Sequence, residues 1–267
     1  MTPFRSIEIV PSYYEGDAVS WTLDPAFSDL APFVFTLETS EVPDFSTVIS
    51  SVVSASGTFA IDTSRQRQTL TPNYYFRVKL ETGSGKTYYS PIQTYSNFLV
   101  GPHKYWLTRE IVRREYVRFK HVGLPGMILK RKNYGERHPT ATMPLSGVSM
   151  VETDPVIGTE FEGGYHNSFP IQFSFETGNT FFESNSAGLG VDNLTTYMIR
   201  LPGFPSLQTK DVLVANHARY NLEKVNKTYM PGTGICILQT AEAKLLPATD
   251  PVYRVPVVES HFKSSYE

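Results

Sequence analysis

The sequence contains one cysteine, few charged residues and no long apolar run. The single cysteine, Cys236, cannot form an intramolecular disulfide or complete a cysteine zinc site, and its apolar neighbours predict a core position. No segment approaches the roughly 18 apolar residues that a membrane helix requires, and the N-terminus has no signal-peptide pattern. We therefore expect a soluble protein with no membrane partner, made in a reducing cytoplasm.

The composition favours β-structure. Aromatic residues make up 13% of the chain, and 18 Gly and 19 Pro are spread along it. Aromatic side chains pack well on pleated sheets, and Gly and Pro form the turns between strands. This profile excludes coiled coil, collagen and long disorder, and the net charge of −2 excludes a protein that is basic overall. With 267 residues the chain has room for two compact units, so we predict a mainly β fold.

Residues 1–97 are predicted to form an N-terminal β-sandwich. The strongest feature is a hairpin, in which strands at 74–80 and 87–90 flank a turn at 82–86. Turn residues recur at the spacing typical of sandwiches rather than of alternating strands and helices. The other strands are predicted at 20–23, 33–39, 47–53 and 58–61.

The same region resembles an immunoglobulin or fibronectin type III module. An early tryptophan (Trp21), the strand at 73–78 and the closing segment 88–92 carry this resemblance. It implies a two-sheet sandwich of short antiparallel strands.

The hairpin turn contains part of a phosphate-binding loop pattern, in Gly83-Ser84-Gly85-Lys86-Thr87. The full motif requires a glycine at the position of Leu80, and a helix where the residues after the turn favour a strand. We therefore interpret this segment as a hairpin turn and predict no nucleotide or other cofactor.

Residues 98–135 are predicted to form a basic helix and linker, with the helix at 104–120. Thr108 is the expected N-cap, because its hydroxyl can accept a hydrogen bond from the first turn. Apolar residues recur at helical spacing to form one stripe, and two arginines four residues apart lie on another face. The stripe consists of Val112, Tyr116 and Phe119, and the arginines are Arg114 and Arg118.

Positive charge is concentrated in residues 103–137. This segment holds ten Lys and Arg against three Glu, a net charge of +7, and the rest of the chain holds 14 against 23, or −9. Three interpretations remain open: a solvated face, a docking surface for an acidic patch on another protein, or contact with a nucleic-acid backbone. No motif for specific nucleic-acid recognition is present, so we expect no specific nucleic-acid partner and no measurable duplex DNA affinity at physiological salt. The predicted docking residues are Arg113, Arg114, Arg118, Lys130, Arg131 and Lys132.

Residues 136–267 are predicted to form a small β-barrel or sandwich. Segment 171–176 alternates between apolar and polar residues, and a turn is predicted directly after it at 177–179. A last strand is predicted at 252–258, where Pro256 restricts it to an edge or a bulge. The remaining strands are predicted at 195–201, 211–215, 219–225 and 235–243.

Several segments, taken in order, resemble virion structural proteins of tailed bacteriophages. The first three are residues 105–115, 126–137 and 158–165, and the next three, which resemble the small β-barrel of head-closure or connector proteins, are 210–214, 219–225 and 250–257. The resemblance implies a protein of the virion neck, which joins the portal and head to the tail, assembled in the host bacterial cytoplasm. The residues predicted to contact neighbouring subunits are Tyr116, Phe119, Phe161 and Tyr165.

The chain departs from this family pattern at a cysteine knuckle. Two cysteine pairs would fall at positions 138, 141, 153 and 156, where this chain has His138, Ala141, Thr153 and Val156. Three of these four side chains cannot bind a metal, so we predict no structural zinc. The loop must then be held by proline turns or by adjacent subunits.

No arrangement of residues indicates catalysis. The histidines show no H-x-H or H-E-x-x-H spacing, and the G-x-S-x-G elbow is absent. The carboxylate pairs Glu152/Asp154 and Glu160/Glu162 are interpreted as loop charges that are solvated or contact neighbouring subunits. We predict a protein that is not an enzyme and has no catalytic or metal-binding residues.

The leading hypothesis is a structural protein of a tailed phage particle that forms or decorates the neck ring. Its partners would be other neck, portal and tail subunits, and copies of itself in a closed ring. The alternative is a receptor- or carbohydrate-binding virion protein of the tail, in which Trp21, Tyr74 and Tyr88 stack on sugar rings. A third hypothesis is a glycan hydrolase of the tail.

Overall fold

The computed structural model shows a chain built mainly of antiparallel β-strands, with one α-helix in the part that it describes. No helix among the described residues is long and apolar enough to cross a membrane. The described residues are 3–13, 16–64, 74–94, 102–137, 157, 159, 161–181, 196–232 and 234–257.

The N-terminal unit consists of two antiparallel sheets. The first contains, in spatial order, β1 (Phe4–Tyr13), β2 (Gly16–Leu23) and β5 (Phe59–Asp62). The second contains β4 (Ser50–Val53), β3 (Phe33–Ser40), β6 (Tyr75–Thr82) and β7 (Thr87–Tyr89), with β8 (Gln93–Thr94) also paired to β6.

The two sheets face each other across one apolar core, so the predicted sandwich is confirmed. Trp21 from β2 stacks on Phe35 from β3, with ring centroids 5.5 Å apart, and both side chains are buried. The predicted hairpin is also present: β6 and β7 pair through Lys79 and Tyr89, and the glycine-rich segment between them forms the turn. Strand β1 was not predicted.

The helix α1 runs from Pro102 to Val122. Proline suits the first helical position, because its missing N–H would have no partner there. The prediction that Thr108 caps the helix is wrong, since Thr108 lies inside α1 and is fully buried. After the helix, the Gly123 amide donates to the Phe119 carbonyl at 2.7 Å, and a Cβ on Gly123 would lie only 2.4 Å from that oxygen. Glycine therefore lets the chain turn directly from α1 into the next strand.

The C-terminal unit is a closed antiparallel barrel of six strands, which confirms the barrel among the two predicted alternatives. Its strands, in order around the barrel, are β10 (Phe169–Phe181), β11 (Thr196–Pro202), β14 (Cys236–Leu245), β13 (Ala218–Tyr229), β12 (Val212–Ala215) and β9 (Leu124–Leu129). Strand β9 lies within the segment 98–135 that was predicted as helix and linker, so the barrel begins before the predicted boundary at 136.

Two local predictions in the barrel unit are wrong. The predicted turn at 177–179 lies inside β10, where the pairing with β11 shifts register between Phe175 and Thr180, so the extra residues form a bulge instead of a turn. The predicted strand at 252–258 begins instead as a 3-10 helix, Pro251–Arg254. The side chain of its N-cap, Asp250, accepts a hydrogen bond from the backbone N–H of Val252. This local cap stabilises the helical turn in place of a strand.

A buried arginine holds this 3-10 helix against the barrel. Arg219 on β13 donates to the carbonyl oxygens of Val252 and Val255, and its guanidinium lies 5.2 Å from the ring of Tyr253. Burial lowers the pKa of Arg219. The carbonyls that a strand would have paired are therefore bonded to a side chain.

The sandwich and the barrel unit meet at the carbonyl of Gly57. This oxygen accepts hydrogen bonds from the Trp21 indole of the sandwich (2.9 Å) and from the hydroxyl of Tyr134, which follows β9. The Tyr134 ring also packs edge-on against Phe35 and lies 4.8 Å from the ring of His166. All four side chains are buried, so the junction is a continuation of the sandwich core.

Replacing Tyr134 with Phe should lower the free energy of unfolding by about 1 kcal/mol, the usual net contribution of one hydrogen bond. The loss stays small because Gly57 keeps its bond from Trp21. Urea denaturation measures it, with Tyr89→Phe, at an exposed tyrosine, as the matched control. Equal unfolding midpoints for the two variants would contradict a role for the Tyr134 hydroxyl.

Stability should fall as the pH is lowered through the range where free histidine takes up a proton. Burial lowers the pKa of His166 from 6.5 to about 3, so below pH 6.5 the unfolded chain binds a proton that the folded chain does not. Between pH 7 and pH 4 this costs on the order of 3 kcal/mol. His166→Gln should remove this part of the pH dependence, whereas His121→Gln, at an exposed position, should leave it unchanged. If the His166→Gln and wild-type profiles have the same slope, the assignment is wrong.

Candidate protein interface

One side of α1 packs against the protein. Thr108, Val112 and Phe119 are buried on this side, and the helix contacts β1 of the sandwich and strands of the barrel. Val112 belongs to the core of the sandwich, and Tyr116 packs against that core while partly exposed. The predicted apolar stripe is therefore the inward face of the helix.

The opposite side of α1 is exposed and contains large apolar side chains. Trp106 is 55% exposed, and Val117, three helical turns later on the same line, is 37% exposed. A parallel line contains Leu107, Arg114 and Arg118, with Leu107 45% exposed. We call these five residues the outer face of α1.

The arginines of α1 are oriented by glutamates of the same helix. Glu110 accepts hydrogen bonds from the Nε atoms of Arg113 (3.1 Å) and Arg114 (2.9 Å), which lower the pKa of its carboxyl group to about 2. Glu115 accepts from Arg118 at 2.6 Å. These pairs fix the guanidinium groups close to the helix but do not neutralise it, because α1 contains six Lys and Arg against two Glu.

The other three predicted docking residues lie elsewhere. The Lys130 side chain is only 12% exposed, and its ammonium group lies 3.3 Å from the buried carboxylate of Asp211. The backbone N–H of Arg131 donates to the same carboxylate at 2.9 Å. Lys132 donates to the carbonyl of Glu162, and burial lowers its pKa. The predicted docking set is therefore divided between the helix and a segment folded against the barrel.

The predicted contact aromatics are largely used inside the chain. Phe119 is 2% exposed and Phe161 is 9% exposed, so neither offers an apolar surface to a neighbouring subunit. Tyr165 packs against a core cluster of the barrel unit, and burial raises its pKa to about 12. Tyr116 and Tyr165 keep a partly exposed side chain, and Tyr116 lies at the edge of the helix packing.

The exposed apolar residues of α1 were not among the predicted site residues. Trp106 and Val117 are eleven positions apart, which places them on one line of a helix that begins before residue 106. The helical spacing in the sequence could have revealed this pair. It was missed because the one apolar stripe predicted for this helix was Val112, Tyr116 and Phe119, which is its inward face.

The aromatic residues proposed for sugar stacking differ in exposure. Trp21 is 3% exposed and lies in the core. Tyr88 packs edge-on against Phe27 and donates to Asp29, and Tyr74 packs beside the sandwich core. Tyr74 and Tyr88 remain partly exposed, and the carbohydrate-binding alternative stays a prediction.

Among the described residues, no group of three or more His, Cys, Asp or Glu is placed to hold a metal ion. The positions of the missing cysteine knuckle, His138, Ala141, Thr153 and Val156, lie outside the described residues, as do Glu152, Asp154 and Glu160. Glu162 is described and exposed. Cys236 is buried, as predicted, and burial raises the pKa of its thiol to about 11.

Comparison with known proteins adds no assignment. No family model, no curated protein and no solved structure matches this chain. The outer face of α1 must therefore be interpreted from its own composition and exposure.

Two valines on opposite sides of α1 should differ sharply in their contribution to stability. Val112→Ala leaves a cavity in the sandwich core and should cost about 2 kcal/mol of unfolding free energy. Val117→Ala removes exposed methyl groups and improves helix propensity, so its effect should stay within about 0.5 kcal/mol of zero. Urea denaturation of both variants checks this, and a similar loss in both would show that the outer face is covered within the chain.

Proposed function

We propose that this chain is a structural subunit of a tailed phage particle, acting at the neck, and that it docks onto an acidic neighbouring subunit through the outer face of α1. The observation that supports the docking step is the grouping of Trp106, Arg114 and Arg118 on a helix face that the described chain leaves uncovered. The virion assignment depends on the sequence resemblance to neck proteins.

The composition of the outer face suits a protein interface. Tryptophan and arginine dominate the binding energy of many interfaces, because they combine large apolar contact with directed hydrogen bonds. Arginine can also bind a carboxylate through two parallel N–H groups, which lysine cannot do. The Arg114 side chain is 77% exposed, so its guanidinium remains accessible although Glu110 already contacts it.

The distribution of charge supports contacts between unlike surfaces. The segment 103–137 carries +7 and the rest of the chain −9, and three of the exposed cations of this segment, Arg114, Arg118 and Lys120, are on α1. In a ring, each subunit presents two different surfaces, one to each neighbour. A cationic helix and an acidic body provide such a complementary pair within one chain, which suits both a ring of identical subunits and an acidic partner.

Charge reversal at Arg114 and Arg118 together should stop incorporation into particles. Exposed ion pairs contribute little to folding, so the isolated double variant should keep its circular dichroism spectrum and its unfolding midpoint. The matched control is the double reversal of Lys86 and Lys210, two exposed lysines outside α1, which changes the net charge equally. Incorporation is measured by electron microscopy and by protein content of purified particles.

The same assay separates charge from apolar contact. Trp106→Ala keeps every charge and should reduce incorporation at least about tenfold, since a buried interface tryptophan commonly contributes 2 kcal/mol or more. Normal incorporation of both the arginine double variant and Trp106→Ala would exclude the outer face of α1 as the docking surface. If the lysine control also fails to be incorporated, the effect is due to net charge and not to the outer face of α1.

A further inference from the structure

A cleft of about 470 Å³ separates the first sheet of the sandwich from the barrel unit. One wall is formed by β1, β2 and the start of β5, and the other by residues after β9, the segment after β11, and β13. Its volume lies within the range of about 300–1,000 Å³ that is usual for small-molecule sites, which often occur between structural units. The docking surface proposed above does not include any residue of this cleft.

Four cationic side chains line the cleft. Lys130 and Arg131 follow β9, Lys227 lies on β13 and Arg5 lies on β1. They come from distant parts of the sequence, and the fold brings them to one cavity in a chain with a net charge of −2.

The two lysines converge on one residue. Lys130 donates to the carbonyl oxygen of Ser206, and Lys227 donates to the hydroxyl of the same residue. Both side chains are largely buried, at 12% and 19% exposure. Both ammonium groups therefore lie beside one residue, where a single anion can accept hydrogen bonds from the two of them.

The carboxylates near the cleft offset only part of this charge. Asp211 lies behind Lys130 and already accepts hydrogen bonds from the backbone of Arg131 (2.9 Å) and Gln208 (2.8 Å). Glu8, the one carboxylate that lines the cleft, lies 3.6 Å from Lys227. Lys130 and Lys227 each face one carboxylate, and Arg5 adds a further positive charge to the lining.

A β-bulge turns Arg5 toward the cavity. Phe4 pairs with Leu23 and Ser6 with Thr22, so Arg5 is the extra residue in β1. Without the bulge, consecutive residues of a strand would point to opposite faces, whereas Arg5 and Ser6 both line the cleft. Arg5 is exposed, and among the described residues it has no ion-pair partner.

The rest of the lining is rich in neutral hydrogen-bonding groups. Hydroxyl and amide side chains contribute from both walls, and they can donate to and accept from a polyhydroxylated ligand. The apolar residues Trp21 and Phe59 are part of the same lining although both are largely buried. The neutral polar residues include Ser6, Ser20, Thr58, Ser206, Asn133 and Gln208.

We propose that this cleft binds an anionic saccharide: a hexose-sized ligand whose carboxylate or phosphate is held by Arg5, Lys130 and Lys227 and whose hydroxyls bond to the neutral lining. The charge selects the acidic group, and the hydroxyl and amide groups select the sugar ring over a simple ion. Binding at this site is independent of docking through α1.

Isothermal titration of the full chain in about 50 mM salt, where the attraction between charges is weakly screened, tests the proposal with four probes. Glucuronate and glucose 6-phosphate carry the two acidic groups, glucose is the neutral counterpart and inorganic phosphate lacks the ring. At least one acidic sugar should bind at least about tenfold more tightly than glucose and than phosphate, the ratio expected from one charge-assisted hydrogen bond. The acidic sugar that binds more tightly identifies the acidic group.

Two variants locate the site. Arg5→Gln should lower the affinity for the acidic sugar at least about fivefold. If circular dichroism shows that this variant is misfolded, Lys227→Gln should give the same loss of affinity. The matched control is Arg114→Gln, which makes the same substitution on the outer face of α1 and should leave the affinity unchanged.

Three results would overturn the proposal. They are no saturable binding of either acidic sugar, equal affinity for inorganic phosphate and the sugars, and equal weakening by Arg5→Gln and Arg114→Gln. The last would show a general effect of charge rather than a site.

Discussion

The two units of this protein share one buried core, in which Phe59 of the sandwich packs against Phe169 and Phe204 and one carbonyl oxygen accepts from both units. Gly57 accepts from the indole of Trp21 and from the hydroxyl of Tyr134, and so joins the sandwich core to the segment that leads out of β9. Gly57 has a φ of +74°, and a Cβ there would lie 2.5 Å from the Tyr134 hydroxyl oxygen. Only glycine satisfies both the backbone conformation and the close approach.

Both candidate surfaces depend on this junction. The cleft has one wall from each unit, and the bond from Tyr134 to Gly57 is one of the contacts that hold these walls together. Helix α1 also contacts both units, with Val112 in the sandwich core and Gly123 turning the chain into the barrel. Because its inner face is fixed on both sides, its outer face is presented as a rigid surface, which lowers the entropy lost on binding.

The sequence allowed the fold to be predicted wherever one rule dominated locally. Alternation identified β10, and the glycine-rich turn with its flanking strands identified the hairpin of β6 and β7. Prediction failed where a tertiary contact decided the outcome: β1 carries a bulge at Arg5, and the carbonyls of 252–255 bond to the distant Arg219. The candidate site was half predicted, because the arginines of α1 were identified from charge while Trp106 and Val117 were missed. The sequence alone could not show that Arg5 and Lys227 lie near Lys130, because these residues are brought together only by the order of the strands.

The basic segment shows why a count of charge along the chain overstates a surface. Its two parts have similar net charges, +4 for residues 103–122 and +3 for residues 123–137, but the chain turns into the barrel after Val122 and their side chains end in different environments. On α1, Arg114 and Arg118 remain exposed and pair with glutamates of their own helix. After β9 the lysines are partly buried, and burial lowers the pKa of Lys132 although the negative charge of Glu162 acts to raise it. Desolvated cations are costly to a fold, whereas exposed ones contribute little to its stability. A bound ligand therefore explains the buried lysines of the cleft better than a contribution to stability does. A protein partner explains the exposed arginines that lie near Trp106 on the outer face of α1.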